Sequence, residues 1–425
     1  MRYRSTERQA PLVDFQEALL RGLAPDGGLY MPEEIPRRKI SDGSFPEMAA
    51  EVLRDFVPTE GLVEICQSAF SFPVPLRHLK DNLYLLDLTM GPTASFKDFG
   101  ARFMARSMSQ ALKPGQLLNI VVATSGDTGG AVAAGFAGVA GIKVFILYPS
   151  KRVTNLQEKQ MTTLGGNVCA LEVDGDFDDC HRVAKEILKD EILRKEIPIS
   201  SANSINIGRL LPQMTYYFWA EAMLRLGGVK RRPIFVVPSG NFGNLTAGLF
   251  ARAMGLPSEL FVAAVNRNCA VPEYLVTGNM SPKKTVRTLS NAMDVGRPDN
   301  WDRIMDLHDY DRGRVGAVMR TGMVDDRQVE KKMAEFCQYE NRDIDPHTAV
   351  GLCVAYELCH NEYRKTPVVV LSTADAGKFK EVWEKATGRR LELASRLKEV
   401  LAKKKESILV SPNKEEVVKI IRSRQ

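Results

Sequence analysis

The sequence predicts an α/β protein with two lobes built on parallel sheets. Short runs rich in Val, Ile and Phe recur at 83–88, 117–123, 143–148, 167–173, 233–237, 260–265 and 367–371. They are apolar throughout rather than alternating, which marks strands buried on both faces. Helix-length amphipathic stretches separate them, the order that parallel sheets require. The run ending before Pro238 lies far along the chain from the one ending before Thr124, with several strand and helix candidates between them. That separation divides the strands between two lobes and leaves a cleft where the lobes meet. A chain of 425 residues has ample length for two or three such units.

Taken in order, residues 1–80 read as a small leading unit. It holds a short amphipathic helix over 13–22, ended by Gly22, and two further apolar-periodic stretches at 45–56 and 63–70. The proline-rich join at 72–76 leads into a core spanning 81–390. Within that core, 291–322 is the least regular part and reads as an inserted loop or a helical cap over the cleft. The last stretch, 391–425, carries many Lys and Glu residues with spaced Leu, Val and Ile, the pattern of a solvated helical tail packed on the core.

Composition narrows the function. Net charge is +6, but the basic residues are scattered except near the C-terminus, so a nucleic-acid partner is not expected. No run of about 18 apolar residues is present, which argues against a membrane partner. Seven cysteines without a Cys-x-x-Cys pair disfavour both a disulfide framework and a metal site, and fit the reducing cytoplasm.

Four stretches carry chemistry. Lys97 follows a Gly-Pro turn and opens a helix beside Phe96 and Phe99; partial desolvation there would favour the neutral, nucleophilic amine of a Schiff-base lysine. The turn 239–244 joins an apolar strand to a helix and presents unpaired backbone N–H groups at the positive end of the helix dipole, a cradle suited to phosphate. Gly240 and Gly243 are expected to need backbone freedom or close approach to a ligand. It matches neither Walker A nor Gly-x-Gly-x-x-Gly. The turn 124–128 sits likewise between a strand and an Ala/Gly-rich helix, and Thr373 follows the last apolar strand.

The stretches Gly91-Pro92-Thr93-Ala94-Ser95-Phe96-Lys97-Asp98-Phe99, 123–130, 238–244 and 372–379, in this order, resemble the signature of the threonine synthase family. These are fold-type II enzymes dependent on pyridoxal 5'-phosphate (PLP), with a tryptophan synthase β-like architecture. Tyr3-Arg4-Ser5-Thr6 and 22–30 resemble that family's N-terminal segment, and the likeness runs to about residue 385. The resemblance implies that Lys97 anchors PLP and serves as acid and base. It implies that Gly240, Asn241, Phe242 and Asn244 contact the PLP phosphate, that Asp127 lies near the ring hydroxyl and that Thr373 faces the pyridine nitrogen. Thr124, Ser125 and Thr128 would hold the substrate carboxylate. Within 203–213, also a family stretch, Arg209 is the candidate for the substrate phosphate, because its planar fork matches phosphate oxygens. His347 matches a family segment too, with helix capping as its expected role.

The implied reaction converts O-phospho-L-homoserine and water to L-threonine and phosphate. An elimination lyase releasing a 2-oxo acid and ammonia, and a catalytically silent PLP-fold binding protein, are the alternatives. A monomer or homodimer is expected. Met90, Asp375 and Ala376 stand where many relatives have His, His and Pro; the first two positions are expected to border the cleft.

Overall fold

The computed structural model describes residues 1–281, 284–360 and 362–425. Each of the seven apolar runs is a strand within about two residues of its expected bounds. One sheet has six strands in the order Met319–Met323, Leu260–Val265, Ile234–Pro238, Val368–Ser372, Leu83–Asp87, Leu76–His78. Its pairings are parallel except for the last, where the short edge strand runs antiparallel. The other has five parallel strands in the order Ile408–Val410, Val168–Val173, Ile142–Pro149, Leu118–Ala123, Ile199–Ser200. The chain is therefore α/β with one wholly parallel sheet and one that is parallel but for an edge strand. The turns singled out from the sequence, at Thr124, Ser239 and Thr373, all follow the carboxyl ends of strands, where open parallel sheets bind ligands.

Between the strands Leu83–Asp87 and Leu118–Ala123 lies the helix Lys97–Ala111, whose placement depends on aromatic packing. Phe99 is fully buried, with ring centroids 5.0 Å from Phe72, 5.2 Å from Tyr216, 5.7 Å from Phe70 and 5.8 Å from Phe45. Phe45, Phe70 and Phe72 all belong to the leading 80 residues, so that segment is part of the core that fixes the Lys97 helix. A small two-stranded antiparallel sheet, Tyr3–Ser5 with Tyr30–Pro32, completes it.

Two expectations are corrected. Residues 291–322 are neither a loop nor only a cap: they contain the helices Trp301–Leu307 and Arg312–Val318 and enter the edge strand Met319–Met323. That strand, Met-Arg-Thr-Gly-Met, lacks a continuous apolar run because it lies at an edge and is largely uncovered. Residues 391–425 are not simply a helical tail. They form the helix Ser395–Ala402, the strand Ile408–Val410 paired to Val168–Val173, and the helix Lys414–Ser423, whose Val417 and Ile421 are fully buried against Val183 and Ile187. Ile421→Ala is accordingly expected to cost about 2–5 kcal/mol in urea unfolding, the range for a buried aliphatic truncation. A substitution on a solvated tail would stay within about 0.5 kcal/mol.

Candidate active site

The Lys97 loop is shaped by Asp98. Its buried carboxylate accepts hydrogen bonds from Thr93 N at 2.9 Å and Thr93 Oγ1 at 2.7 Å, closing 93–98 into a compact turn. Gly91 leaves no room for a side chain because Asp98 fills the space, and Ala94 takes φ +56°. The loop is tied to the end of the strand Val368–Ser372 by two backbone bonds, Phe96 N to Thr373 O at 2.9 Å and Asp375 N to Ala94 O at 3.0 Å. Lys97 and Thr373, 276 positions apart in sequence, are thereby held beside one another.

Lys97 is the first residue of its helix and its side chain is 16% exposed. Its ammonium lies 4.6 Å from the centroid of the Phe96 ring and 3.8 Å from Asp127 Oδ2. Burial lowers its pKa; the cations Lys378 and Arg209 add to the effect, while Asp127 and Asp345 oppose it. The amine is thus shifted toward its neutral form. Asp127 opens the helix Asp127–Phe136, and its Oδ1 accepts from Lys378 Nζ at 2.9 Å and from Gln157 Nε2 at 2.9 Å. Burial alone would raise this carboxyl, but the ammoniums of Lys378 and Lys97 and the Gln157 amide outweigh it and hold it well below the usual range.

Thr124 Oγ1 accepts from Gly126 N at 3.0 Å and Gly129 N at 2.8 Å, so its hydroxyl shapes the turn. The side-chain hydroxyls of Ser125 and Thr128, both half-buried residues, make no hydrogen bond among the described residues. In the 239–244 turn, a Cβ at Gly240 would stand 2.5 Å from Met293 Cα, so the neighbouring backbone leaves that position no room for a side chain. Asn241 Nδ2 donates to Ser204 Oγ at 2.7 Å and Asp299 Oδ2 at 3.0 Å, while its Oδ1 accepts from Asp299 N at 2.6 Å. Its side chain therefore holds the turn against its surroundings. Phe242 takes φ +58° as the helix Gly243–Met254 begins. Asn244 Oδ1 accepts from the hydroxyls of Tyr216 and Tyr217, each at 2.6 Å, but its buried Nδ2 has no partner among the described residues.

Arg209 is buried: its Nη1 bonds the Ala202 carbonyl and its Nε has no partner among the described residues. Thr373 donates its N–H to Thr348 Oγ1 at 3.3 Å, and its own hydroxyl takes part in no hydrogen bond among the described residues. His347 Nδ1 lies 2.5 Å from Asp345 Oδ2 and its Nε2 accepts from Ala292 N at 3.1 Å. Both ring nitrogens are occupied, which suits a structural histidine. The set fits PLP: a desolvated lysine, a helix first turn of unpaired N–H groups, an orphaned donor on Asn244 and a free hydroxyl on Thr373. Among the described residues no cluster of His, Cys, Asp and Glu is arranged to hold a metal ion.

Comparison with known proteins bears on this arrangement. Residues 69–374 match the family described as pyridoxal-phosphate dependent enzyme, 2–70 match the threonine synthase N terminus, and 348–421 match the threonine synthase C-terminal family. A threonine synthase of Haemophilus influenzae is 42% identical over 398 residues, 91% of each chain, and one of Escherichia coli is 41% identical over 403 residues, again 91% of each. The chain belongs to the threonine synthase family. It is a fold-type II enzyme whose cofactor is PLP. Among solved structures, E. coli threonine synthase superposes with a TM-score of 0.90 at 37% identity, covering all of both chains. PLP-bound threonine synthase of Brucella melitensis gives 0.91 at 32% identity, covering 100% of this chain and 99% of that one.

Sequence reasoning missed the second lysine. Lys378 lies inside a quoted family stretch, but it sits among Lys380, Glu381 and Lys385, and reads there as one more surface charge. It is instead 1% exposed. Also missed was Arg303, fully buried, which donates to the carbonyls of Tyr30, Ser204 and Ile205 and to Asn300 Oδ1. Burial drives its pKa down to about 9, with Asp299 and Asp302 opposing.

Two outcomes are expected at this site. Borohydride treatment of the PLP-loaded protein should fix the cofactor to the peptide bearing Lys97, as read by mass spectrometry; labelling at another lysine would remove Lys97 from its role. Gly240→Val should lower the melting temperature of the protein even without PLP, because the new side chain meets the Met293 backbone, and should weaken PLP retention as well. An unchanged melting temperature would show that the turn yields freely.

Proposed function

We infer that this chain converts O-phospho-L-homoserine and water to L-threonine and phosphate. The observation that carries the reading is the desolvated Lys97 within 3.8 Å of an ionised Asp127, in a chain aligned nearly end to end with threonine synthases. When bound, PLP supplies the electron sink that acidifies the substrate carbons beside the amino group. Lys97, biased toward its neutral amine, takes the proton from the carbon bearing that amino group and returns it at the end of the reaction. Asp127 would face the ring hydroxyl, Thr373 the pyridine nitrogen, and the first turn of the helix Gly243–Met254 with Asn244 Nδ2 the cofactor phosphate. Thr373 offers a neutral hydroxyl, which stabilises a protonated pyridine less than a carboxylate would, so the sink is tempered. The half-buried hydroxyls of Ser125 and Thr128 would take the substrate carboxylate. Arg209 is assigned to the substrate phosphate, supported by its unpartnered Nε.

Asp375, where many relatives have His, does not set a lone negative charge against the substrate phosphate. Its Oδ1 accepts from Gly377 N at 2.8 Å, and Arg396 Nη2 lies 3.9 Å from its Oδ2. We assign the protein to the cytoplasm, as a monomer or homodimer with a small-molecule substrate. Free cysteines throughout and the absence, among the described residues, of a helix long and apolar enough to cross a membrane fit that assignment.

The test is incubation of enzyme, PLP and phosphohomoserine with threonine, 2-oxobutanoate and phosphate quantified together. Threonine equal to phosphate is expected. Phosphate matched by 2-oxobutanoate would make the enzyme an eliminating lyase, and no phosphate release would exclude the substrate. Lys97→Ala is expected to abolish product formation while leaving the circular dichroism spectrum unchanged.

A further inference from the structure

Asp127 is shared by two lysines that come from distant parts of the chain. Lys378, in the short helical turn Ala376–Phe379, has its side chain wholly removed from solvent and donates to Asp127 Oδ1 at 2.9 Å and to the Thr93 carbonyl at 3.0 Å. Lys97 faces the other carboxylate oxygen at 3.8 Å. We propose that Lys378 is a positioning residue for Lys97: it is the standing counter-charge of Asp127, which frees Lys97 from that duty and lets it exist as a neutral amine.

The argument is a count of charges in a site of low polarity. With Lys378 in place, a protonated Lys97 leaves the trio with one excess positive charge, and a neutral Lys97 leaves a balanced Lys378–Asp127 pair. Without Lys378, a protonated Lys97 would balance Asp127, and losing its proton would leave a buried, unpaired anion. Burial penalises uncompensated charge, so Lys378 favours the neutral amine and its removal favours the ammonium. The lowered pKa of Lys97, to which Lys378 contributes, agrees in direction. The other titratable groups facing the trio are Arg209, Asp98, Asp345 and His347. None of them is altered below.

The full-length chain prepared without PLP is treated with a small acylating reagent across a pH series, and labelling of the Lys97 peptide is followed by mass spectrometry. Lys378→Met is expected to move the labelling midpoint of Lys97 upward by about one pH unit or more, a roughly tenfold loss of free amine at a fixed pH. Lys378→Gln, which keeps donors for Asp127 and the Thr93 carbonyl, carries the same expectation if the Met variant fails to fold. Lys378→Arg, which keeps the charge, should restore the parent midpoint. A merely structural lysine would alter the melting temperature without moving this profile, so a parental midpoint in either folded neutral variant would overturn the proposal. The inference rests on Lys97 as the reactive lysine of the proposed function. Because labelling reads the amine directly, a shifted profile in a chain that forms no threonine would count against that function and not against this role.

Discussion

The arrangement depends on one buried carboxylate. Asp127 is 3% exposed, and an ionised group so far from water persists only where opposite charge and hydrogen bonds replace its hydration. Lys378, Lys97 and Gln157 supply them, each from a different element: the turn Ala376–Phe379, the helix Lys97–Ala111 and the helix Asn155–Thr162. Since Asp127 itself opens the helix that follows Thr124, one carboxylate draws both sheets' loops to a single point. The strand ends determine where the cleft lies; this charge determines which side chains meet in it.

Backbone bonds do the finer placement. The pairing of Phe96 with Thr373 and of Asp375 with Ala94 splices the Lys97 loop onto the end of the central strand Val368–Ser372. Asp345 extends the same network. Its carboxylate accepts from His347 N and Thr348 N, each at 3.0 Å; Thr348 then receives the Thr373 N–H, and His347 receives the Ala292 N–H. Ala292 precedes Met293, the residue against which Gly240 is packed, so the 239–244 turn and the Thr373 strand end are braced by the start of the helix Pro346–His360. Arg303 does the equivalent on the far side, joining the leading segment at Tyr30 to the stretch 204–205 and to Asn300, whose amide donates to the Asn241 carbonyl at 3.0 Å.

The departures at residues 90 and 375 look different once their neighbours are known. Asp375 caps the turn that presents Lys378, accepting from Gly377 N, and so shapes the site through the backbone. Arg396, which approaches Asp375, comes from the helix Ser395–Ala402 and also donates to the Thr89 carbonyl at 3.0 Å, one residue before Met90. The C-terminal region thus packs beside the Lys97 loop and the Asp375 turn, a contact that a solvated tail would not make.

Local sequence determined the strands, the three turns that follow them and the helix start at Lys97. Strands buried on both faces must be continuously apolar, a turn that exposes N–H groups needs glycine, and both signals lie within a few residues of one another. The leading helices were legible through apolar periodicity at 45–56 and 63–70, which fold as the helices Phe45–Leu53 and Leu62–Ala69. The short edge strands Met319–Met323 and Ile408–Val410 were not, because an edge position needs no apolar run and takes its identity from the neighbour it pairs with. Nor were Lys378, Asp345 and Arg303. In sequence a buried ion and a surface ion are the same letter, and only the folded chain, by bringing Asp127 to within 2.9 Å of a lysine 251 residues away, decides which one it is.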